Sequence, residues 1–267
     1  MLVIILKKVT SVTKIGLKLW STNIDNYIKP AQVLYEKHIF DFIELYIVPD
    51  TLDNIKIWSR VKIPFSVHMA HSAHNVDLSN PQKFDFNKKI YAQTKKYADM
   101  LNSDMIIVHG GTGGDYKQCA SQIKNFNDKR VLIENKPHIT LPFVNADVYT
   151  GSTIESIKYI KEYACCGFCL DIGHAICSAN SHREDPYNYI EKFLELSPSC
   201  IHLSDIYINT ELDEHLNYGC GELDFKKIKN LVNSKKTYVI ETNKKSKENL
   251  DDFEQDAKFL RRILEEG

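Results

Sequence analysis

The stretch GFCLDIGH at residues 167–174 decides how the chain is read. Its apolar run Phe168, Cys169, Leu170 predicts a short strand buried on both faces. The run ends at once in Asp171, and His174 follows three residues later. A carboxylate and an imidazole therefore stand at the C-terminal end of a strand, where the loops of a parallel α/β barrel build an active site. Taken alone, Asp171 could cap the next helix and His174 pack under a loop. Recurrence of the same arrangement along the chain favours a metal-binding role.

Residues 65–67 lead to His68, residues 105–108 to His109, residues 131–133 to Glu134 and residues 238–240 to Glu241, while the run IHL at 201–203 carries His202. Two earlier apolar runs, IGLKL at 15–19 and FDFIELYIV at 40–48, supply a first and a second strand, and Glu44 lies inside the second. Helical spacing is expected over 30–38, 82–102 (opened by Asn80 and Pro81), a short polar stretch after the GGTGG loop at 110–114, 153–163, 186–196 and 247–264. A polar loop is expected after GFCLDIGH, through His182 to Asp185.

Eight short strands alternating with helices predict one α/β domain over residues 1–267, a (β/α)8 TIM barrel with its site at the C-terminal mouth of the strands. Residues 1–14 read as an N-terminal extension or a flap over one barrel end. A doubly wound open sheet would place a GxGxxG turn after its first strand and gather its ligands at one switch point. This chain has no such turn, and its candidate ligands follow strands three to eight.

Charge narrows the partners. The 34 basic and 35 acidic side chains nearly cancel, so no global field attracts nucleic acid or an anionic membrane. The seven cysteines include no paired Cys-x-x-Cys spacing. Cys169 and Cys200 read as small core residues in a reducing compartment. The opening MLVIILKK is too short an apolar run for a signal-peptide core or a membrane span. A cytoplasmic, soluble protein is expected; the sequence leaves the oligomeric state open.

The residues gathered at one mouth are His68, His109, Glu134, Asp171, His174, His202, Asp213, His215 and Glu241. Imidazole nitrogen with carboxylate oxygen, and no thiolate, is the donor mix of catalytic zinc, manganese or magnesium sites. Nine such groups in one cavity would repel and desolvate one another without a cation among them. One to three divalent ions are therefore expected.

The runs VHMAH, VHGG, LIEN, CLDIGH, IHLSD, DEHLNYGCG and VIET resemble the successive ligand motifs of the xylose-isomerase-like superfamily, which includes endonuclease IV and many sugar isomerases and epimerases. The resemblance spans about His68 to Glu241. In the endonuclease IV branch it implies a first metal on His68, His109 and Glu134. A second would lie on Glu134, Asp171, His202 and Glu241, and a third on His174, Asp213 and His215. In the isomerase branch it implies one metal on Glu134, Asp171, His202 and Glu241, with Glu134 and Glu241 exchanging a proton with a sugar-like substrate through an enediolate and His174 holding a substrate hydroxyl.

The loops after the second and third strands, YIVPDTLDN and HMAHSAHN, lack the arginine and tyrosine that endonuclease IV inserts into DNA, with His71 near the tyrosine's place. Cys220 replaces a glutamate between two glycines, and the first strand lacks the family's opening motif. With the near-zero charge, these departures make DNA the less favoured partner. They make a divalent-metal-dependent sugar or sugar-phosphate isomerase or epimerase the first expectation, with an endonuclease IV-like phosphodiesterase as the alternative. A barrel that only binds metal or ligand, and a metal-dependent oxygenase, are further classes; the paired Glu134 and Glu241 argue against mere binding.

Other residues read differently. Trp20 could wall a sugar ring or fill core. Glu44 is expected to be buried against a polar partner. His71, His74, His138 and His182 read as loop histidines, the first two close to His68. Lys244, Lys245 and Lys247 read as a solvated face.

Overall fold

The computed structural model describes residues 13–142, 144–232 and 236–265. Eight parallel strands close into a barrel in sequence order. They are β1 (Lys14–Trp20), β2 (Phe42–Ile47), β3 (Phe65–Met69), β4 (Ile106–His109), β5 (Val131–Glu134), β6 (Gly167–Asp171), β7 (Cys200–Leu203) and β8 (Thr237–Ile240). The connecting helices are α1 (Ile28–Glu36), α2 (Ile55–Trp58), α3 (Phe84–Met100), α4 (Tyr116–Phe126), α5 (Ile154–Ala164), α6 (Ile172–His182), α7 (Pro186–Leu194), α8 (Phe225–Val232) and α9 (Asp251–Glu265). Residues 1–12, where an extension or flap was expected, lie outside the described residues; Lys14 is already part of β1.

Side chains alternate across a strand, and the barrel uses that alternation to separate two cores. Ile15, Leu17, Ile43, Val67, Val108, Ile133, Leu170 and Ile240 face outward into one apolar layer shared with the helices. Phe42, Ile107, Leu132, Cys169, Cys200 and Val239 face inward and form the barrel floor. Gly16 belongs to this inner set. A Cβ there would come within 2.5 Å of the Phe42 ring, so the glycine leaves the ring its space.

Every inward position two residues beyond the floor points toward the mouth. Phe42 is followed in this way by Glu44, Ile107 by His109, Leu132 by Glu134, Cys169 by Asp171, Cys200 by His202 and Val239 by Glu241. Parallel pairing then sets His109 against Glu134 and Asp171 against His202. The fold thus converts a period of two along each strand into a ring of polar groups on an apolar plug.

Two expectations need correction. The polar loop expected after GFCLDIGH is instead α6, whose first residues, Ile172 to Ala179, are all buried. A helix buried all round shows no amphipathic period. Helix α8 follows a loop and was not expected, and α9 starts at Asp251 and not at residue 247. Thr153 caps α5 with a reciprocal capping box to Ser156. All seven cysteines are unpaired, and Cys169 and Cys200 are buried. Among the described residues no helix is long and apolar enough to cross a membrane.

Candidate metal centre

Glu134, at the end of β5, is the hub. Its Oε2 lies 3.2 Å from His68 Nε2, 3.1 Å from His109 Nε2 and 3.3 Å from His202 Nδ1, and its Oε1 lies 3.1 Å from His174 Nδ1. Burial alone would raise this carboxyl, yet His109 and His202 hold it well below the ordinary carboxylate range. Four imidazoles from β3, β4, α6 and β7 therefore meet one carboxylate that is 1% exposed.

The other expected residues extend the cluster in two directions. His202 Nδ1 lies 2.7 Å from Glu241 Oε1. On the opposite side, Asp213 Oδ2 lies 3.1 Å from His174 Nε2 and 2.6 Å from His215 Nε2. Asp171 accepts the His174 backbone N–H at 2.7 Å and so caps α6. It also stands with Glu134 and His174 in a group whose ligand atoms lie within 4.8 Å of one another. The same spacing holds for His68, His109 and Glu134 and for His174, Asp213 and His215. All nine expected residues are thus brought to one mouth, and Asp171 caps α6 while standing among the candidate ligands.

Orphaned atoms test whether this set fits divalent ions. His109 Nε2, His202 Nδ1 and Asp213 Oδ1 are buried and make no aligned hydrogen bond, although the two imidazole nitrogens face carboxylate oxygens, of Glu134 at 3.1 Å and of Glu241 at 2.7 Å. His109 belongs to the group with His68 and Glu134, Asp213 to the group with His174 and His215, and His202 to a further group with Glu44 and Glu241. A desolvated polar atom without an aligned hydrogen bond costs free energy unless something coordinates it. The remaining nitrogens are anchored: Nδ1 of His68, His174 and His215 faces the carbonyls of Met69, Asn135 and Glu241 at 2.8, 2.8 and 2.7 Å. That leaves Nε2 of each ring turned inward, as metal-ligating histidines are usually held. The residues present therefore fit divalent ions.

Charge agrees with geometry. Burial lowers His109 well below its ordinary value, so it is neutral and ready to ligate. Burial would also lower His174, but Asp171 and Asp213 push it up to about 10. Five carboxylates, those of Glu44, Glu134, Asp171, Asp213 and Glu241, stand at the mouth with two ammonium groups: Lys18 pairs with Glu44 and Glu241, and Lys136 meets His174. Once every imidazole is neutral, as ligation requires, three of the five negative charges are left for cations to balance; in the metal-free site protonated His174, His202 and His215 offset them.

Four residues of the site were not singled out as ligands. Lys18 bridges Glu44 at 2.7 Å and Glu241 at 2.5 Å; its inward place in IGLKL, two residues beyond Gly16, was the available signal. Glu44, fully buried, also meets Ser66 and His202, the polar burial expected of it. Asn135 exchanges two hydrogen bonds with the backbone of Asp171, at 2.9 and 2.8 Å. Lys136 donates to His174 Nε2 at 3.0 Å. Among the loop histidines, His71 stacks on His109 with centroids 4.8 Å apart, and His74 meets the Tyr46 hydroxyl. His138 and His182 pack on each other, although His182, expected in a loop, is the last residue of α6. Lys245 pairs loosely with Asp252 on the surface.

Comparison with known proteins places this geometry. A probable endonuclease 4 of Halothermothrix orenii is 28% identical over 201 residues, covering 66% of this chain and 71% of that protein. A D-tagatose 3-epimerase-like protein shares the fold with a TM-score of 0.69 at 20% identity, over 94% of this chain and 97% of that one. Endonuclease IV of Thermus thermophilus does so with a TM-score of 0.65 at 17% identity, over 95% and 100%. The family model described as xylose isomerase-like TIM barrel matches residues 40–263, and the chain belongs to that family.

Proposed function

We propose that the chain is a metal-dependent phosphodiesterase acting on a nucleic-acid backbone, in the manner of the endonuclease 4 relative. The observation that carries this reading is the convergence on Glu134, whose Oε2 lies within 3.1 to 3.3 Å of three imidazoles. His68 and His109 would hold one ion with it, and Asp171, His202 and Glu241 a second. Divalent ions bound there supply activation of water and withdrawal of charge from phosphoryl oxygens. The protein's part is rigid placement: Lys18 pins Glu241 and Glu44, and Glu44 pins His202.

Isomerisation, the first expectation from sequence, asks for Glu134 and Glu241 on opposite sides of a sugar, each free to take up and return a proton. His202 Nδ1 is within 3.3 Å of Glu134 and 2.7 Å of Glu241, so the two carboxylates approach a common point. Glu241 is further tied to Lys18. That arrangement favours hydrolysis. The near-zero net charge then implies that affinity for DNA comes from the ions and a few mouth residues, not from a broad basic face.

The test is a duplex oligonucleotide carrying a single abasic site, incubated with protein loaded with zinc, manganese or magnesium, beside ketose epimerisation assays on the same samples. Cleavage at the abasic site with no sugar turnover is expected. Sugar turnover with intact DNA at enzyme excess would reverse the assignment.

A further inference from the structure

Lys136 is a buried cation without an anion. The residue is 9% exposed. Its backbone N–H donates to Gly151 O at 3.1 Å, and its carbonyl accepts from Ser178 Oγ at 2.8 Å, so its Cα is held from both sides. The side chain runs past Tyr149, with Nζ 5.4 Å from the ring centroid, and ends on His174 Nε2 at 3.0 Å. Among the described residues no carboxylate lies within ion-pair distance of Nζ. Desolvating an ammonium is costly, and such groups are normally paired. Here the only polar partner is an imidazole nitrogen at the metal centre.

That nitrogen is also the one the third ligand group needs. His174 Nδ1 faces the Asn135 carbonyl at 2.8 Å and Glu134 at 3.1 Å, so only Nε2 can join Asp213 and His215 in holding an ion. A neutral His174 accepts from Lys136 there, and a protonated one donates to Asp213. An ion entering this pocket must displace a proton or the ammonium, and must sit close to a fixed positive charge. Lys18, the other ammonium at the mouth, differs in kind: it sits on carboxylate oxygens of Glu44 and Glu241 and, among the described residues, meets no imidazole nitrogen.

We propose that Lys136 is the resident cation of the third pocket: it keeps a third divalent ion out and presents its ammonium to an anionic oxygen of the substrate. The exclusion of an ion stands on the geometry of His174 alone. The choice of a phosphate oxygen rests on the phosphodiesterase reading.

Metal content separates the two. Full-length protein equilibrated with excess zinc and then freed of loosely bound metal should retain two equivalents. Lys136→Met should retain three and Lys136→Arg two, with circular dichroism and melting checked for each. Three equivalents in the unsubstituted protein, or two in a folded Lys136→Met protein, would overturn the exclusion. The anion contact is read in a His215→Ala background, where the third pocket cannot close on an ion. There, adding Lys136→Met should weaken inorganic phosphate binding to the zinc-loaded protein by about tenfold, the loss expected of one charge-assisted hydrogen bond; unchanged phosphate affinity would remove that half. Two equivalents with intact abasic DNA would sink the phosphodiesterase reading and spare the exclusion, and three equivalents with cleavage would do the reverse.

Discussion

Glu44 Oε2 stands 3.2 Å from Nε2 of His202, and this contact decides which face of the imidazole the barrel offers to a metal. With Nε2 engaged below, Nδ1 is turned toward Glu134 and Glu241. Burial would raise the Glu44 carboxyl, but His202 and Lys18 hold it down to about 2, so it is a permanent anion. A carboxylate behind a ligating histidine fixes its tautomer and raises its basicity. Glu44→Ala should therefore lower zinc affinity by about 10- to 100-fold, read by competition against a chelator. Wild-type affinity in a folded Glu44→Ala protein would show that the contact is only packing.

Asn135 joins two strands through side-chain bonds to both backbone polar groups of Asp171, while its own carbonyl meets His174 Nδ1. Asp171 and His174 are thus both held by one residue, the first through its side chain and the second through its backbone carbonyl. Asn135→Ala leaves a buried N–H and C=O unmatched, which costs about 2 kcal/mol of folding stability. Denaturant unfolding at fixed metal concentration measures it. Asn135→Asp should be worse than alanine for metal-free protein, because it sets a carboxylate oxygen against the Asp171 carbonyl that now accepts the amide N–H.

The sequence carried the ligands more plainly than the elements between them. His109, Glu134 and Glu241 each follow an apolar run at a strand's end, and the eightfold alternation made the closed barrel readable. Helix α6 was hidden because its first turns are buried on every side, which removes the periodicity that marks a surface helix. Lys18 and Lys136 were hidden for another reason. A lysine in a sequence reads as a solvated side chain, and the strand register is what sets Lys18 beside Glu44 on the neighbouring strand. The distances between Glu134 and the four histidines depend on four strands and a helix at once.

Trp20 is 54% exposed at the mouth end of β1, with its ring centroid 5.8 Å from Tyr46. Tyr46 in turn lies 5.4 Å from His68 and 5.2 Å from His71. An aromatic wall therefore runs from solvent to His68 and His71. Base stacking on such a side chain is worth about 1–3 kcal/mol, so Trp20→Ala should raise KM for abasic DNA by about tenfold or more. Stability should change by less than about 0.5 kcal/mol, as for most exposed positions. A melting temperature that falls while KM stays constant would place Trp20 in the core instead.

Proton release upon metal binding follows from His202. Burial would lower this imidazole, but Cys169, Glu241 and Glu44 hold it well above its ordinary value. The metal-free ring is therefore protonated at neutral pH. Its contribution to the stability of the stripped protein is fully present below the unfolded value of about 6.5 and is lost as pH rises through the higher folded value. Coordination through Nδ1 requires that nitrogen's lone pair, so the ion must expel the proton it finds there. Zinc affinity should then climb by about tenfold per pH unit for each proton displaced, starting from neutral pH and flattening once the ring deprotonates unaided. Titration calorimetry in two buffers of different ionisation enthalpy at one pH reads the proton count directly. Heats that do not depend on the buffer would mean that the ring already stands neutral, and that Glu134, Glu241 and Glu44 hold it by position and not by charge.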